Sequence, residues 1–358
     1  MKRHIRLLSV LFFSIVLFAP LLGMAQNVKR TKLINRSYNV TAEDKLEINN
    51  SFGDVTVSTW DEQKITVDIE IGARANTDTR AQFILDSIEI RESKGSHLYS
   101  FHTKVGDFHF HKGSHNDGGE GDNRSFYIDY VVHMPAGNPL DVHNDFGRTE
   151  IPNFQGLINL KSNYGNLTAG NLANVGFIDV EFGQANIGEI TNGKVLFQYN
   201  GNSRIGKING NVHINSEFSS RVQISIGDNL KELSVVESYS GIRMVVDKNL
   251  SAQINIHTNF GEFKNESEFT IKEKHEEEED PGPKFDRDYS GTVGDGKAQI
   301  KVKSEFGSLR LTNFGDDNGN FDREYKYRYK DKNKDKDKSK DKDKDKDKDK
   351  DKTDVSVS

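Results

Sequence analysis

The sequence predicts an all-β fold, a parallel β-helix (β-solenoid) of about 18–21 residues per coil, and three features of the chain predict it. An aromatic residue followed by a small one recurs at Phe52-Gly53, Phe146-Gly147, Tyr164-Gly165, Phe182-Gly183, Tyr199-Asn200, Phe218-Ser219, Tyr239-Ser240, Phe260-Gly261 and Phe306-Gly307. Alternating apolar residues flank the pair, as in Leu46-Glu47-Ile48 before it and Val55-Thr56-Val57 after it, the period of a half-buried strand. Turn signals such as Asn192-Gly193 and Asn209-Gly210 close the units, none of which has a helical pattern. A unit this short cannot bury its own apolar face, whereas stacked copies share one core. An antiparallel sandwich would place turns every ~8–12 residues and would not return the same pair once per longer unit.

The segments follow in order. Residues 1–25 read as a signal peptide: a basic start at Lys2, Arg3 and Arg6, an apolar run from Leu7 to Leu22, then Gly23 and Ala25. Residues 26–145 form an N-terminal capping β region with a His- and Gly-rich loop, whose β-rich stretches Leu98 to Phe110 and Phe126 to Met134 are expected to make a hairpin or sheet. Residues 146–315 are the solenoid repeats, interrupted by an acidic insertion at 266–292 in which Glu276 to Asp280 and Pro281-Gly282-Pro283 indicate an exposed, disordered loop. Residues 316–358 are a disordered tail, since the alternating Lys and Asp of Lys330 to Lys352 give no apolar face.

The turn aromatic could be a ladder in the core or a platform for stacking sugars, and a repeated aromatic at a fixed turn favours the core. Truncating Phe182 is then expected to cost ~3–5 kcal/mol. The small residue after it suits a turn requiring positive φ or close backbone approach.

Composition excludes several classes of chemistry. With no cysteine there is no disulfide, thiolate metal site, cysteine nucleophile or lipid-attachment cysteine. A formal net charge of -6, and a tail whose charges cancel, offer no field for nucleic acid. His97, His102, His109, His111 and His115 cluster before the glycine loop, but their spacing fits an exposed polar face better than a metal site. The acidic insertion lacks the ligand pattern of an ordered calcium site. No nucleophile elbow, phosphate loop, dinucleotide fingerprint or His-Glu-x-x-His occurs. Asp179, Glu181 and Glu217 are the candidates for paired acids on neighbouring coils, although polar residues on the outer face of a strand have this composition by default. No catalytic, cofactor-binding or metal residue is assigned.

The run from Leu46 to Val57 with Trp60 and Ile65-Thr66-Val67, and Tyr130 to Pro135 followed by Leu140-Asp141-Val142 and Phe146-Gly147, resembles the bacterial putative-adhesin β-strand-repeat family, domains of unknown function. The resemblance spans about Tyr38 to Leu311 and implies an envelope-exposed β-helical fold with no catalytic residues to carry over. The expected function is an exported, non-enzymatic scaffold binding a glycan or protein ligand along its coil sides or through the loops Gly113 to Arg124 and Lys272 to Asp288. It would act in the periplasm, at the cell surface or outside the cell. A glycan-active β-helix enzyme and an envelope structural or stress-related protein without external ligand are the alternatives.

Overall fold

In the computed structural model, residues 28–106, 125–274, 285–313 and 315 are described. The signal segment, His109, His111, His115, the glycine loop, the Glu276 to Pro283 run and the Lys-Asp tail lie outside them. Among the described residues the protein is all-β, an open mixed sheet of 21 strands with one short helix.

The units pair in parallel, each equivalent position beside its copy. β8 (Leu140–Asp145), β9 (Thr149–Ile151) and β10 (Phe154–Asn163) lead into the long strands β11 (Asn166–Glu181), β12 (Gln184–Gln198), β13 (Asn202–Glu217) and β14 (Arg221–Ser238), with β15 (Gly241–Val246) following. Leu167 lies opposite Ala185, Ile187 opposite Ile205 and Ile214 opposite Val235. Register shifts fall at Thr191/Gly193 and Ile208/Gly210, where Asn192, Gly193 and Gly210 have positive φ. The Asn-Gly signals thus mark the bends. Along each strand the inward residues are fully buried, for example Ile178, Ile187, Ile205 and Ile214, and one continuous apolar core runs through the units.

Both ends depart from chain order. β2 (Lys45–Ser51) and β3 (Val55–Trp60) lie between β8/β9 on one side and β6 (Leu98–Val105) and β7 (Ser125–Pro135) on the other. The repeat array therefore includes Phe52, which the sequence-based boundary at 145 assigned to the cap. Of the expected hairpin or sheet, β6 and β7 take the second: they join the sheet without pairing with each other. They are the two arms of one rung, β6 beside β2 and β7 beside β3, while β5 (Ile88–Lys94) pairs antiparallel with β6 and β4 (Lys64–Ala75) with β7. β1 (Val28–Asn39) covers the other edge of β4. The helix α1 (Asp78–Asp86) starts where Thr77 accepts a bond from the Arg80 amide at 3.3 Å, and buries Ala81, Ile84 and Leu85. Two and a half turns are too short for a clear helical period, so it escaped the sequence reading.

At the far end β16 (Ala252–Asn259) and β17 (Glu262–Glu266) form the outermost rung. β18 (Lys272–Glu273) and β19 (Asp286–Val293) then make an antiparallel cap on β16. The chain returns inward as β20 (Ala298–Glu305) and β21 (Ser308–Asn313), which insert between β14/β15 and β16/β17. The insertion expected at 266–292 to be disordered is thus strand on both sides of residues 275–284, because Phe269, Ile271 and Tyr289 pack on the core.

The shared core makes any interior methyl matter to the whole array. Ile178→Ala should lower the unfolding free energy by ~2–5 kcal/mol in denaturant titrations, with a single transition if the rungs unfold together. Two separated transitions would contradict the continuous core.

Candidate functional site

Three columns run along the axis at the aromatic turn. The first is the aromatic itself. The rings of Phe52, Phe146, Tyr164, Phe182, Tyr199, Phe218, Tyr239, Phe306 and Phe260 stack in that order with centroids 4.7–5.2 Å apart and planes within 2–8°. Phe126 closes one end edge-on, and Phe285 stacks on Phe260 at the other. The single column agrees with the repeat reading; its position does not. The rings stand outside the core, 39–54% exposed.

The reason is backbone handedness. All nine aromatics have φ between 49° and 65°, so the left-handed residue is the aromatic and not the small residue after it. Strict alternation would send its side chain inward; the left-handed turn sends it out and points the next residue in. That next residue must be small. A Cβ on Gly165 or Gly183 would coincide with the carbonyl oxygen of Gly147 or Gly165 on the neighbouring rung. Where Asn200, Ser219 and Ser240 take this place, their side chains are buried and donate to the carbonyls of Val180, Phe197 and Ser216 at 2.8–3.3 Å. Each ring face is covered by its neighbours, so the column offers solvent a ridge of ring edges and not the open faces of a sugar-stacking platform.

The second column is the residue before the aromatic, on the ridge's flank. From Asp145 to Glu305 it alternates rung by rung: Asp145, Asn163, Glu181, Gln198, Glu217, Ser238, Glu305. The carboxylates share rungs with Phe146, Phe182, Phe218 and Phe306, and the neutral residues with Tyr164, Tyr199 and Tyr239. Amides bridge the gaps: Asn163 donates to Asp145 at 2.8 Å, and Gln198 to Glu217 at 3.4 Å. A Lys303 hydrogen bond at 2.7 Å holds the Glu305 carboxyl below its ordinary range.

Two of the candidate acids, Glu181 and Glu217, fall in this column two rungs apart, roughly 10 Å at the usual strand spacing. Asp179 lies on the neighbouring column, 3.5 Å from the Lys161 ammonium. The structure therefore does not bring the three together. His97 bonds Asp44 at 3.0 Å at the array's edge, and among the described residues no three His, Asp or Glu side chains converge as a metal site. Nor is any described helix long and apolar enough to cross a membrane.

The third column, two residues before the aromatic, faces inward and is largely polar: Asn50, Asn144, Ser162, Ser216, Glu237, Ser304 and Thr258, interrupted by Val180 and Phe197. Asn50 donates to Asn144 at 3.2 Å and to the Ile128 carbonyl at 2.9 Å. Glu237 is completely buried at the junction with the inserted β20 rung, taking bonds from the Ser304 hydroxyl and, at 3.3 Å, the Ser240 amide. Burial pushes its carboxyl up to about 7, against the partial relief of those bonds. The sequence reading missed this residue and the flank alternation. Both become visible only when the units are aligned on their aromatics.

No family model matches the chain, and no curated protein matches it. Solved structures do. A putative adhesin from Bacteroides fragilis is 12% identical over 79% of this chain and 97% of its own, with a TM-score of 0.37. A putative cell adhesion protein from Clostridium sporogenes is 12% identical over 81% of this chain and 100% of its own, with a TM-score of 0.21. A putative lipid binding protein from Parabacteroides distasonis is 9% identical, covers 78% and 97%, and has a TM-score of 0.32. At these identities the chain's own geometry has to carry the functional argument.

Three outcomes test the columns. Phe182→Ala should destabilise by about 1–2 kcal/mol, the range of a half-exposed ring with two aromatic neighbours, and not by the loss expected of a core residue. Phe182→Gly should cost less than Phe182→Ala, because glycine occupies the left-handed region without strain; the reverse order in urea titrations would contradict the strained turn. Because the folded state holds the Glu237 proton more tightly than the unfolded chain, the stability it allows is full below about 4.5 and is lost as pH rises through about 7. The urea midpoint should fall between pH 5 and pH 8, and Glu237→Gln should remove most of that fall. An unchanged fall in the variant would assign it to other groups.

Proposed function

We propose that the chain is an exported, non-enzymatic β-solenoid scaffold of the adhesin type, acting in the periplasm, at the cell surface or outside the cell, with its aromatic ridge as the contact surface. The ridge carries this reading. A contiguous exposed apolar strip along the array is unusual for a surface with no partner, and such strips mark interaction sites. The parallel pairing of both arms of each unit with the next, through the aromatic turn, supports winding as a solenoid. The basic, apolar and small-residue succession at the N-terminus supports export. The separation of Glu181 from Glu217, and the engagement of Asp179 by Lys161, fit a ladder of surface residues better than an acid-base pair.

Intact cells treated with an impermeant protease should lose the protein if it is surface-held, and should retain it until the outer barrier is opened if it is periplasmic. Retention in a cytoplasmic fraction after both treatments would overturn export. Carrying both Phe182→Ser and Phe218→Ser should cost about twice the single-ring value, ~2–4 kcal/mol, and leave the protein folded at the temperature of the assay, while lowering attachment to the surfaces the wild type coats. Full attachment by that variant would remove the ridge from the reading.

A further inference from the structure

From the two-rung alternation along the ridge we infer a ligand class: a linear β-1,4-linked glycan without acidic groups, lying along the aromatic column. This deepens the scaffold reading and rests on it. The rungs repeat at ~4.8 Å, so chemically equivalent rungs recur at roughly 10 Å. Two independent features share that period. Carboxylates at Asp145, Glu181, Glu217 and Glu305 occupy alternate rungs, and the phenols of Tyr164, Tyr199 and Tyr239 occupy the rungs between.

Charge avoidance accounts for the first feature alone. In-register pairing puts equivalent side chains side by side, and like charges on adjacent rungs would repel. It does not account for hydroxyls on the exposed ring, which fall in phase with the neutral rungs and require solvent or a ligand as their partner. A glycan of this linkage advances by close to one rung per sugar and turns alternate sugars over, so its chemical repeat spans two rungs. Its hydroxyls donate to the carboxylate rail and exchange bonds with the phenols that the ridge presents to solvent. Hydrogen bonds to charged acceptors are the stronger kind, which suits a carboxylate rail to a hydroxyl-rich polymer.

Other extended polymers fit less well. The side chains of a peptide strand repeat on one face every ~6.6–6.8 Å and lose phase within two rungs. A polyproline helix has a nearer pitch of ~9.3 Å but lacks the N–H donors a carboxylate rail needs. Polyuronates of the same β-1,4 linkage, such as polymannuronate, match the geometry but meet the rail with like charge.

Calorimetric titration of the full-length protein with chitohexaose and cellohexaose, alongside maltohexaose and a β-1,4-linked mannuronate hexamer, tests the inference. The β-1,4 neutral hexamers should bind, and the α-linked and acidic hexamers should not. Glu181→Gln with Glu217→Gln, and separately Tyr164→Phe with Tyr199→Phe, should each weaken binding by ~10-fold or more without lowering the melting temperature. Equal binding of maltohexaose, or unchanged affinity in both double variants, would overturn the inference. So would no binding of either β-1,4 hexamer. If that last result came with attachment still lost on Phe182→Ser and Phe218→Ser, the glycan would be wrong and the ridge scaffold would stand. If those variants attached fully as well, both would fall.

Discussion

One constraint organises the array: at each aromatic turn the chain takes a left-handed residue, and the residue after it lies directly on the backbone of the turn below. The contact between stacked turns at Gly147, Gly165 and Gly183 leaves no room for a Cβ. From this follow the small residue, the outward ring and the inward polar column behind it. Each non-glycine residue in the left-handed region costs ~1–2 kcal/mol, and each aromatic pair returns about 0.5–1.5 kcal/mol beyond burial. The two are of the same size. The rings are therefore both the strained element and the element that offsets the strain, which accounts for an aromatic where glycine or asparagine would be the local preference.

The same stacking explains how the ends are built. A stack of parallel rungs exposes unpaired edges, which invite pairing with other chains. At the C-terminal end the chain lays down a rung, then a cap, and then returns to the inner side of that rung; at the N-terminal end β2/β3 is followed by β6/β7 on its outer side and then β8/β9 on its inner side. β2/β3 is held between β6/β7 and β8/β9, and β20/β21 between β14/β15 and β16/β17. Antiparallel strands cover the outer faces, β4 and β5 at one end and β19 at the other. Glu237 and its Ser304 partner lie at the joint where the returning rung enters, so the one deeply buried carboxyl in the third column is a feature of assembly and not of the exposed surface.

The period, the strands and the bends were legible because they depend on residues that alternate or break alternation locally. The columnar stacking of the aromatics was legible too, from their recurrence alone. Their exposure was not: period-two alternation points a residue such as Phe182 inward, and only the φ of the turn reverses it. The return of Phe306 between Tyr239 and Phe260 was hidden for a different reason, since rung order is set by pairing across 46 to 67 residues and leaves no trace in spacing. The alternation on the flank was overlooked because Asp145, Glu181 and Glu217 look like ordinary outer-face polar residues until they are read in rung order against the tyrosines.

The nine aromatics form one solvent-facing column whose order is that of the rungs and not of the sequence. The chain has no cysteine, so pairs of introduced cysteines can carry spin labels without background. Labels replacing Phe146 and Phe306 are separated by six rungs, and labels replacing Phe146 and Phe260 by seven, so pulsed dipolar spectroscopy should give backbone separations of roughly 29 Å and roughly 34 Å. Both sites should label in the native state. A longer distance to residue 306 than to residue 260, or labelling only after denaturation, would contradict the account.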